Sequence, residues 1–281
     1  MYLQQPTADY HRRLAGLQLV KIYDIFLITF LAFLLSTFTY ADDDDEPTSS
    51  ASTFSEPFVE QTTGLTMERF FGARTQFGFA FALPEDTSST SFIGQLTFPL
   101  VNGQGWGSFG LTGDMEGNFI LAAWPDGQGG VMASFRQATD EDNPPEVTGS
   151  FAVRPLADGV AANQTSLSFT FLCENCLDPD LGTSIDASGN AVMGWALSEK
   201  NPFGDATDAG AFLDFHERGF GPFTARLGAS RSAQFDAVAA TALEPVSASG
   251  NAVSAVAGVF EEGDDDDDDE DDGDDDDDDD D

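Results

Sequence analysis

Basic residues are scarce in this sequence of 281 residues. Eleven lysines and arginines stand against 50 aspartates and glutamates, which gives a formal net charge of −39. Much of that charge lies in the nearly pure poly-aspartate stretch at the C-terminal end, residues 261–281. The composition excludes a nucleic-acid partner, because phosphate binding requires clustered lysines and arginines. A basic or metal-bearing partner remains compatible with this charge.

Long hydrophobic runs are also lacking, except for one at residues 25–38. Basic residues precede this run, and the small residues of Thr39-Tyr-Ala41 follow it, so residues 1–41 are predicted to be a signal peptide. A retained membrane anchor is the alternative, although a spanning helix needs roughly 20 apolar residues. We expect a secreted, extracellular protein with no membrane association after cleavage. The sequon Asn163-Gln-Thr165 is a predicted glycosylation site in a surface loop.

Cysteine is limited to Cys173 and Cys176. A covalent haem site of the c type would need histidine at the next position, which holds Leu177. A redox-active pair of the thioredoxin type would need a βαβ setting that the surrounding sequence does not offer. A short structural disulfide at the end of a strand over residues 166–172 is the favoured interpretation.

Histidine is equally rare, since only His11 and His216 are present and His11 lies in the predicted leader. Met115 occupies a turn between two glycines and beside two acids, Gly113-Asp-Met-Glu-Gly117, whereas a core methionine normally sits in an apolar run. An imidazole and a thioether together are the axial pair of a low-spin electron-transfer haem. Taken alone, however, a single histidine in a loop is more often structural than a ligand, and Met67 and Met132 are rival thioethers.

The middle of the chain has the pattern of an all-β fold. After an acidic linker rich in Ser, Thr and Pro (residues 42–57), apolar residues alternate at Phe77, Phe79 and Phe81 and again at Leu167, Phe169 and Phe171. Such alternation, with frequent Gly, Pro, Asn and Asp between runs, predicts antiparallel strands in a sandwich or barrel. The predicted domain covers residues 58–240, and a disordered acidic tail is predicted for residues 241–281.

One motif match does not carry a function. The glycines of Gly105-Trp-Gly-Ser-Phe-Gly110 fit a dinucleotide fingerprint, which works only when they open a helix. A strand-like run, Asn118-Phe-Ile-Leu-Ala-Ala-Trp124, follows instead, and no helical pattern lies between them. We therefore reject a nicotinamide or flavin site at this position.

Several blocks in series resemble the haem-b cytochrome domain of fungal cellobiose dehydrogenase, a member of the DOMON superfamily. The resemblance covers residues 58 to 235. The blocks are Thr63-Gly-Leu-Thr-Met67, Gln76-Phe-Gly-Phe79, Phe92-Ile-Gly-Gln-Leu96, Gly105 to Asn118, Leu121 to Gly127, Ser134-Phe-Arg136, Cys173 to Cys176, Gly194-Trp-Ala196 and His216-Glu-Arg-Gly-Phe-Gly221.

This resemblance implies an immunoglobulin-like sandwich of two antiparallel sheets that binds haem b. It implies that Met115 and His216 are the axial iron ligands and that Cys173 and Cys176 form a disulfide. One departure is the Glu-Arg-Gly that follows His216, where relatives often carry a small polar and an acidic residue before an aromatic one. No contact to the haem edge is therefore assigned.

The resemblance further implies that this chain carries single electrons. We expect it not to be an enzyme by itself, because the flavin-dependent domain of the best-known family members does not occur in these 281 residues. Expected donors are a flavodehydrogenase or a small reductant. Expected acceptors are a copper-dependent polysaccharide monooxygenase, a ferric complex or a quinone. The alternatives are a haem-free DOMON module that binds carbohydrate or cell wall, and a self-sufficient redox enzyme such as a ferric reductase.

Overall fold

The computed structural model describes residues 53–115, 117, 119–138, 143–181 and 188–257. The predicted signal peptide, most of the predicted linker and the poly-aspartate stretch lie outside these ranges. Within them, strands dominate and the helical elements are short, and no helix has the length and apolarity needed to cross a membrane. The strands are β1 (Glu56–Val59), β2 (Thr66–Gly72), β3 (Phe77–Ala82), β4 (Phe92–Pro99), β5 (Trp106–Gly110), β6 (Phe119–Pro125), β7 (Val131–Gln137), β8 (Val147–Thr148), β9 (Ala152–Ala162), β10 (Ser166–Glu174), β11 (Ala191–Ser198), β12 (Gly219–Ala225) and β13 (Val253–Ser254).

Two antiparallel sheets contain nearly all of these strands. The first has six strands in the order β1-β2-β3-β4-β10-β9, and the second has five in the order β12-β11-β5-β6-β7. Strands β8 and β13 form a small parallel pair. One short helix, α1, spans Phe235–Ala239. The predicted all-β class and two-sheet antiparallel architecture are confirmed.

Phenylalanine rings fill the space between the two sheets. The alternating residues Phe77, Phe79 and Phe81 of β3 all enter this core, as the period-two pattern predicts. The ring of Phe79 stacks on that of Phe109 from the opposite sheet, with 4.0 Å between centroids. Such close stacking leaves little room for any group between the sheets.

The outer face of each sheet is covered by a different segment. Phe235 and Val238 of α1 pack on the first sheet, beside Leu65 and Met67. On the second sheet, Ala211 and Leu213 from the β11–β12 loop pack against Trp106 and Trp124. The β11–β12 loop therefore covers part of a sheet face that strand alternation alone would leave exposed.

The predicted linker, residues 42–57, extends too far along the chain. Thr53 and Ser55 form backbone hydrogen bonds with Thr224 of β12, at 2.8 Å each. The Ser55 side chain is buried and donates to the carboxylate of Glu68. A polar composition indicated a linker, but this short segment is held at a sheet edge by backbone hydrogen bonds, which any residue except proline can provide.

The predicted disordered tail, residues 241–281, begins too early for the same physical reason. The amide of Leu243 donates to Pro155 at 2.8 Å, and that of Val246 donates to Val153 at 2.9 Å, which seats the chain along β9. Val253 then pairs with Val147 in the β8–β13 ladder. Residues 241–257 are therefore part of the folded domain, and residues 258–281 lie outside the described residues.

Candidate functional site

A cavity of about 260 Å³ lies on the outer face of the five-stranded sheet. Its floor comes from β5, β6, β11 and β12, and its walls come from the β5–β6 turn, the β11–β12 loop and the Asn143-Pro144 segment. Mostly apolar surface lines it. The cavity thus lies outside the phenylalanine core and is bounded by loops.

Strand alternation explains the flat floor. Trp106, Ser108 and Gly110 of β5 face the cavity, whereas Phe109 faces the core. Gly107 also faces the core, where an added Cβ would come within 2.7 Å of the Phe98 ring. Gly107 of the rejected dinucleotide fingerprint therefore serves packing within β5, and the next element among the described residues is strand β6 and not a helix.

Met115 lies in the turn that joins β5 to β6. A backbone hydrogen bond of 3.1 Å from Leu111 to Phe119 closes the base of this turn. The Asp114 carboxylate accepts the amide proton of Met115 at 2.7 Å, which fixes the backbone immediately before the thioether. Gly194 lies directly beneath the turn. A Cβ built at Gly194 would be only 3.0 Å from the carbonyl oxygen of Thr112.

His216 lies at the end of the β11–β12 loop, just before β12 begins. Its carbonyl accepts a hydrogen bond of 3.0 Å from Gly219, which forms a tight turn. Glu217 accepts from the Ser198 hydroxyl at 2.8 Å, and Arg218 pairs with Glu199 at 2.9 Å. The Glu-Arg pair that departs from the family pattern therefore fastens this turn to the end of β11.

The two segments approach the cavity from opposite ends of β5. Strand β11 runs antiparallel to β5, with Gly194 opposite Gly110 and Ser198 opposite Trp106. The Met115 turn follows Gly110, whereas the His216 turn sits beside Ser198. Four residues of strand separate these ends, which corresponds to roughly 13 Å. Met115 and His216 thus line one cavity from its two ends.

Two nitrogen atoms in this cavity are buried and have no hydrogen-bond partner among the described residues: Nδ1 of His216 and Nε1 of Trp106. Burial lowers the pKa of His216 below its ordinary value of 6.5, although the Glu217 carboxylate opposes the shift. A neutral imidazole retains a lone pair that can bind a metal. Buried polar atoms without partners are rare in proteins, so the pair marks a place where an additional group fits.

The other described methionines lie elsewhere. Met67 belongs to the cluster under α1, Met193 packs in the core between the sheets, and Met132 packs at the edge of the tryptophan cluster. None of these three lines the cavity. Among the described methionines, Met115 alone therefore lines the same cavity as His216. Their role as iron ligands stays a prediction.

Sequence reasoning missed the residues that hold the cavity wall. Asn143 and Pro144 line the cavity, and the side chain of Arg136 binds both of them. Trp106 could have been recognised, since the period-two pattern of Gly105 to Gly110 places it on the face opposite Phe109. Asn143 carried no signal, because its position depends on contacts with residues far along the chain.

The remaining predicted residues lie away from the cavity. Cys173 and Cys176 form a disulfide at the end of β10, with an S–S distance of 2.01 Å, so the predicted pairing is confirmed. Asn163 lies in the exposed turn between β9 and β10, where its Oδ1 accepts hydrogen bonds from Thr165 and Ser166. Glycosylation of Asn163 stays a prediction.

Comparison with known proteins decides the family. A sequence model described as the cytochrome domain of cellobiose dehydrogenase matches residues 58–237. The chain belongs to this family. The cytochrome domain of cellobiose dehydrogenase from Myriococcum thermophilum is similar in structure, with a TM-score of 0.62 and 27% identity over 69% of this chain and 98% of that one. The cytochrome b domain of pyranose dehydrogenase from Coprinopsis cinerea gives a TM-score of 0.59 and 25% identity over 69% and 96%.

Membership of this cytochrome family implies haem binding, and the residues of the cavity fit that group. The cavity offers a thioether, a neutral imidazole and apolar walls, which are what a haem with two protein ligands requires. A group of three or more His, Cys, Asp or Glu side chains suited to a bare metal ion does not occur among the described residues. One thioether and one imidazole fit iron that is held within a macrocycle, which supplies its other ligands.

Proposed function

We propose that this chain is a secreted b-type cytochrome that transfers single electrons, and that Met115 and His216 are the axial ligands of its haem iron. The observation that carries the proposal is that these two side chains, from loops at opposite ends of β5, line one cavity. Membership of the cytochrome family supports the cofactor.

The two proposed ligands have distinct parts in this function. His216 offers a neutral imidazole, because burial keeps its pKa low. Met115 offers a soft thioether, which favours ferrous iron and raises the reduction potential relative to a second imidazole. Bound there, haem b would supply the one-electron change of its iron, and with both axial positions filled it would leave none for oxygen or substrate.

The cavity mouth gives the site a path to the surface. The His216 ring packs against Phe215 and Phe220, at centroid distances of 4.6 and 4.4 Å. Both phenylalanines are more than 60% exposed. A redox partner that docks here would come close to the His216 side of the site, and close approach is what electron transfer requires.

We propose a flavodehydrogenase or a small reductant as the electron donor. The acceptor would be a copper-dependent polysaccharide monooxygenase, a ferric complex or a quinone. The two structural relatives are cytochrome domains of dehydrogenases, which supports a dehydrogenase as donor. The acidity of the chain would steer a basic partner and make exchange sensitive to salt. The disulfide and the exposed Asn163 support secretion and glycosylation.

An absorption spectrum of the secreted protein tests the cofactor. We expect a low-spin haem with sharp α and β bands after reduction with dithionite. A purified, folded protein without these bands would refute the cytochrome and leave the haem-free binding module as the function to test.

Substitution of Met115 tests the ligand. Met115→Ala should convert the six-coordinate haem to a weakly ligated or five-coordinate form and lower its reduction potential, because the thioether is lost. Met132→Ala is the matched control, since Met132 does not line the cavity, and its spectrum should match the wild type. Equal spectra for Met115→Ala and the wild type would point to a different ligand.

A further inference from the structure

Arg136 of β7 is a buried cation beside the cavity. Its side chain is 1% exposed, and burial lowers the pKa of its guanidinium to about 10, with partial compensation from the charges of Glu146 and Asp208. The group therefore remains charged at neutral pH. Burying a charge costs free energy unless hydrogen bonds or an opposite charge compensate for the lost water. The hydrogen-bond partners of Arg136 therefore show which parts of the chain this residue holds.

The guanidinium joins three separate parts of the chain. Within β7 it donates to the Ser134 hydroxyl at 3.0 Å. It also donates to the side-chain oxygen of Asn143 and to the carbonyl of Pro144, at 3.3 and 3.0 Å. Through its second terminal nitrogen it donates to the carbonyls of Ala209 and Ala211 in the β11–β12 loop. The planar fork of arginine suits such a multiple junction, whereas lysine offers only one donor atom.

Asn143 extends this junction to the segment that carries His216. The same side-chain oxygen that receives Arg136 also accepts the amide proton of Leu213 at 2.8 Å. Asn143, Pro144 and Leu213 all line the cavity. Residues 209–213 are thus fastened to β7, and His216 follows three residues later.

The imidazole of His216 needs this external support. A histidine that binds a metal is usually oriented by a hydrogen bond from its other ring nitrogen. Here Nδ1 of His216 has no hydrogen-bond partner among the described residues, and the ring packs against the rings of Phe215, Phe220 and Trp106. Because no hydrogen bond orients the imidazole, its orientation depends on these ring contacts and on the backbone that leads to residue 216.

We propose that Arg136 is the positioning residue for His216. It holds residues 209–213 through the carbonyls of Ala209 and Ala211 and through Asn143, so that the imidazole faces the cavity. The role in haem ligation rests on the proposed function, whereas the hold on the loop does not.

Two variants at Arg136 and one control test this role. Arg136→Met removes the charge and every hydrogen bond of the guanidinium, whereas Arg136→Lys keeps the charge but cannot reproduce the fork. Arg154→Met is the matched control. Arg154 also binds backbone carbonyls of a distant segment, those of Ala242 and Leu243, but on the sheet opposite the cavity.

Hydrogen exchange measured by mass spectrometry gives a readout that does not depend on haem. In both Arg136 variants, the peptide covering residues 209–216 should exchange faster than in the wild type. In Arg154→Met this peptide should exchange as in the wild type, and only residues 242–246 should exchange faster. Wild-type exchange of residues 209–216 in either Arg136 variant would overturn the proposal.

Retention of haem by the holoprotein, measured against an excess of a competing haem acceptor, reports on the ligation by His216. A loosened His216 should weaken haem binding about 10- to 100-fold in both Arg136 variants, the range by which metal affinity falls when groups that orient a metal ligand are lost. Wild-type haem affinity and spectrum in Arg136→Lys would overturn the positioning role, because charge alone would then suffice. If the wild type itself binds no haem, the proposed function fails, while hydrogen exchange still decides whether Arg136 holds the loop.

Discussion

Gly194 is the contact through which the sheet supports the Met115 turn. In Gly194→Ala, the added Cβ would lie 3.0 Å from the carbonyl oxygen of Thr112 and 3.4 Å from that of Gly113. Both atoms belong to the backbone, so no side chain can rotate away. Relief to an ordinary contact requires the turn to recede by about 0.4 Å, the difference between 3.0 Å and the 3.4 Å at which ordinary contacts begin.

Gly194→Ala should change the stability of the protein little and the position of the thioether more. Overpacking of this kind destabilises a protein by about 1 to 3 kcal/mol. Replacing glycine by alanine in a compatible backbone stabilises it by about 0.4 to 1 kcal/mol, because the unfolded chain loses conformational freedom. We therefore expect the free energy of unfolding to fall by only about 1 kcal/mol. The larger effect should be on the thioether, because a displacement of a few tenths of an ångström would act directly on the proposed bond between Met115 and the haem iron.

Spectroscopy and potentiometry of the holoprotein measure this effect. Gly194→Ala should lower the reduction potential towards that of Met115→Ala and weaken the low-spin spectrum, while urea denaturation shows a folded protein. Gly250→Ala is the matched control, because a Cβ at Gly250 meets nothing within 4 Å. Wild-type potential and spectrum in Gly194→Ala, with the Met115→Ala spectrum altered, would refute the role of Gly194 in supporting the turn.

Two further predictions concern stability. Burial alone would raise the pKa of Glu60, but hydrogen bonds from the amides and hydroxyl groups of Thr62 and Thr63 lower it below 4.5. The ionised carboxylate of Glu60 therefore stabilises the folded protein fully above pH 4.5. This stabilisation is lost as the pH falls through the folded-state pKa. Glu60→Gln should therefore lower the urea-derived free energy of unfolding by about 1 to 2 kcal/mol at pH 7, and the difference from the wild type should shrink under acidic conditions; a constant difference would contradict this assignment. Replacing Cys173 and Cys176 together by serine should cost about 2 kcal/mol, because the disulfide closes a short loop and restricts the unfolded chain. Urea denaturation with and without reductant checks this, since reductant should bring the wild type to the stability of the variant and leave the variant unchanged.

The sheets were predictable where a strand has one face in the core. Phe77, Phe79 and Phe81 alternate with small residues, and that alternation corresponds directly to the inward face of β3. The segments at each end of the domain were not predictable in this way. Residues 53–57 and 241–257 are fastened chiefly through backbone hydrogen bonds, which leave little trace in composition or periodicity.

The candidate site was predictable only in part. The scarcity of histidine and the unusual turn around Met115 singled out two residues, and the family resemblance joined them into one site. Arg136 could not be predicted, because its loop partners lie 73 and 75 residues away and are carbonyl groups that every residue carries. A buried cation that binds backbone oxygen atoms becomes visible only once the fold brings those segments together.

The position of the cavity outside the sandwich explains why its two proposed ligands depend on different supports. Phenylalanine rings such as those of Phe79 and Phe109, stacked at 4.0 Å, fill the space between the sheets, and the cavity of about 260 Å³ lies where loops rise above the outer face. Because these loops leave the sheet at opposite ends of β5, Gly194 supports the thioether, whereas Arg136 and Asn143 support the imidazole. A perturbation at Gly194 should therefore act on Met115 and one at Arg136 on His216. Each should leave the other ligand in place, because Gly194 contacts the turn that carries Met115, whereas Arg136 holds the β11–β12 loop that carries His216.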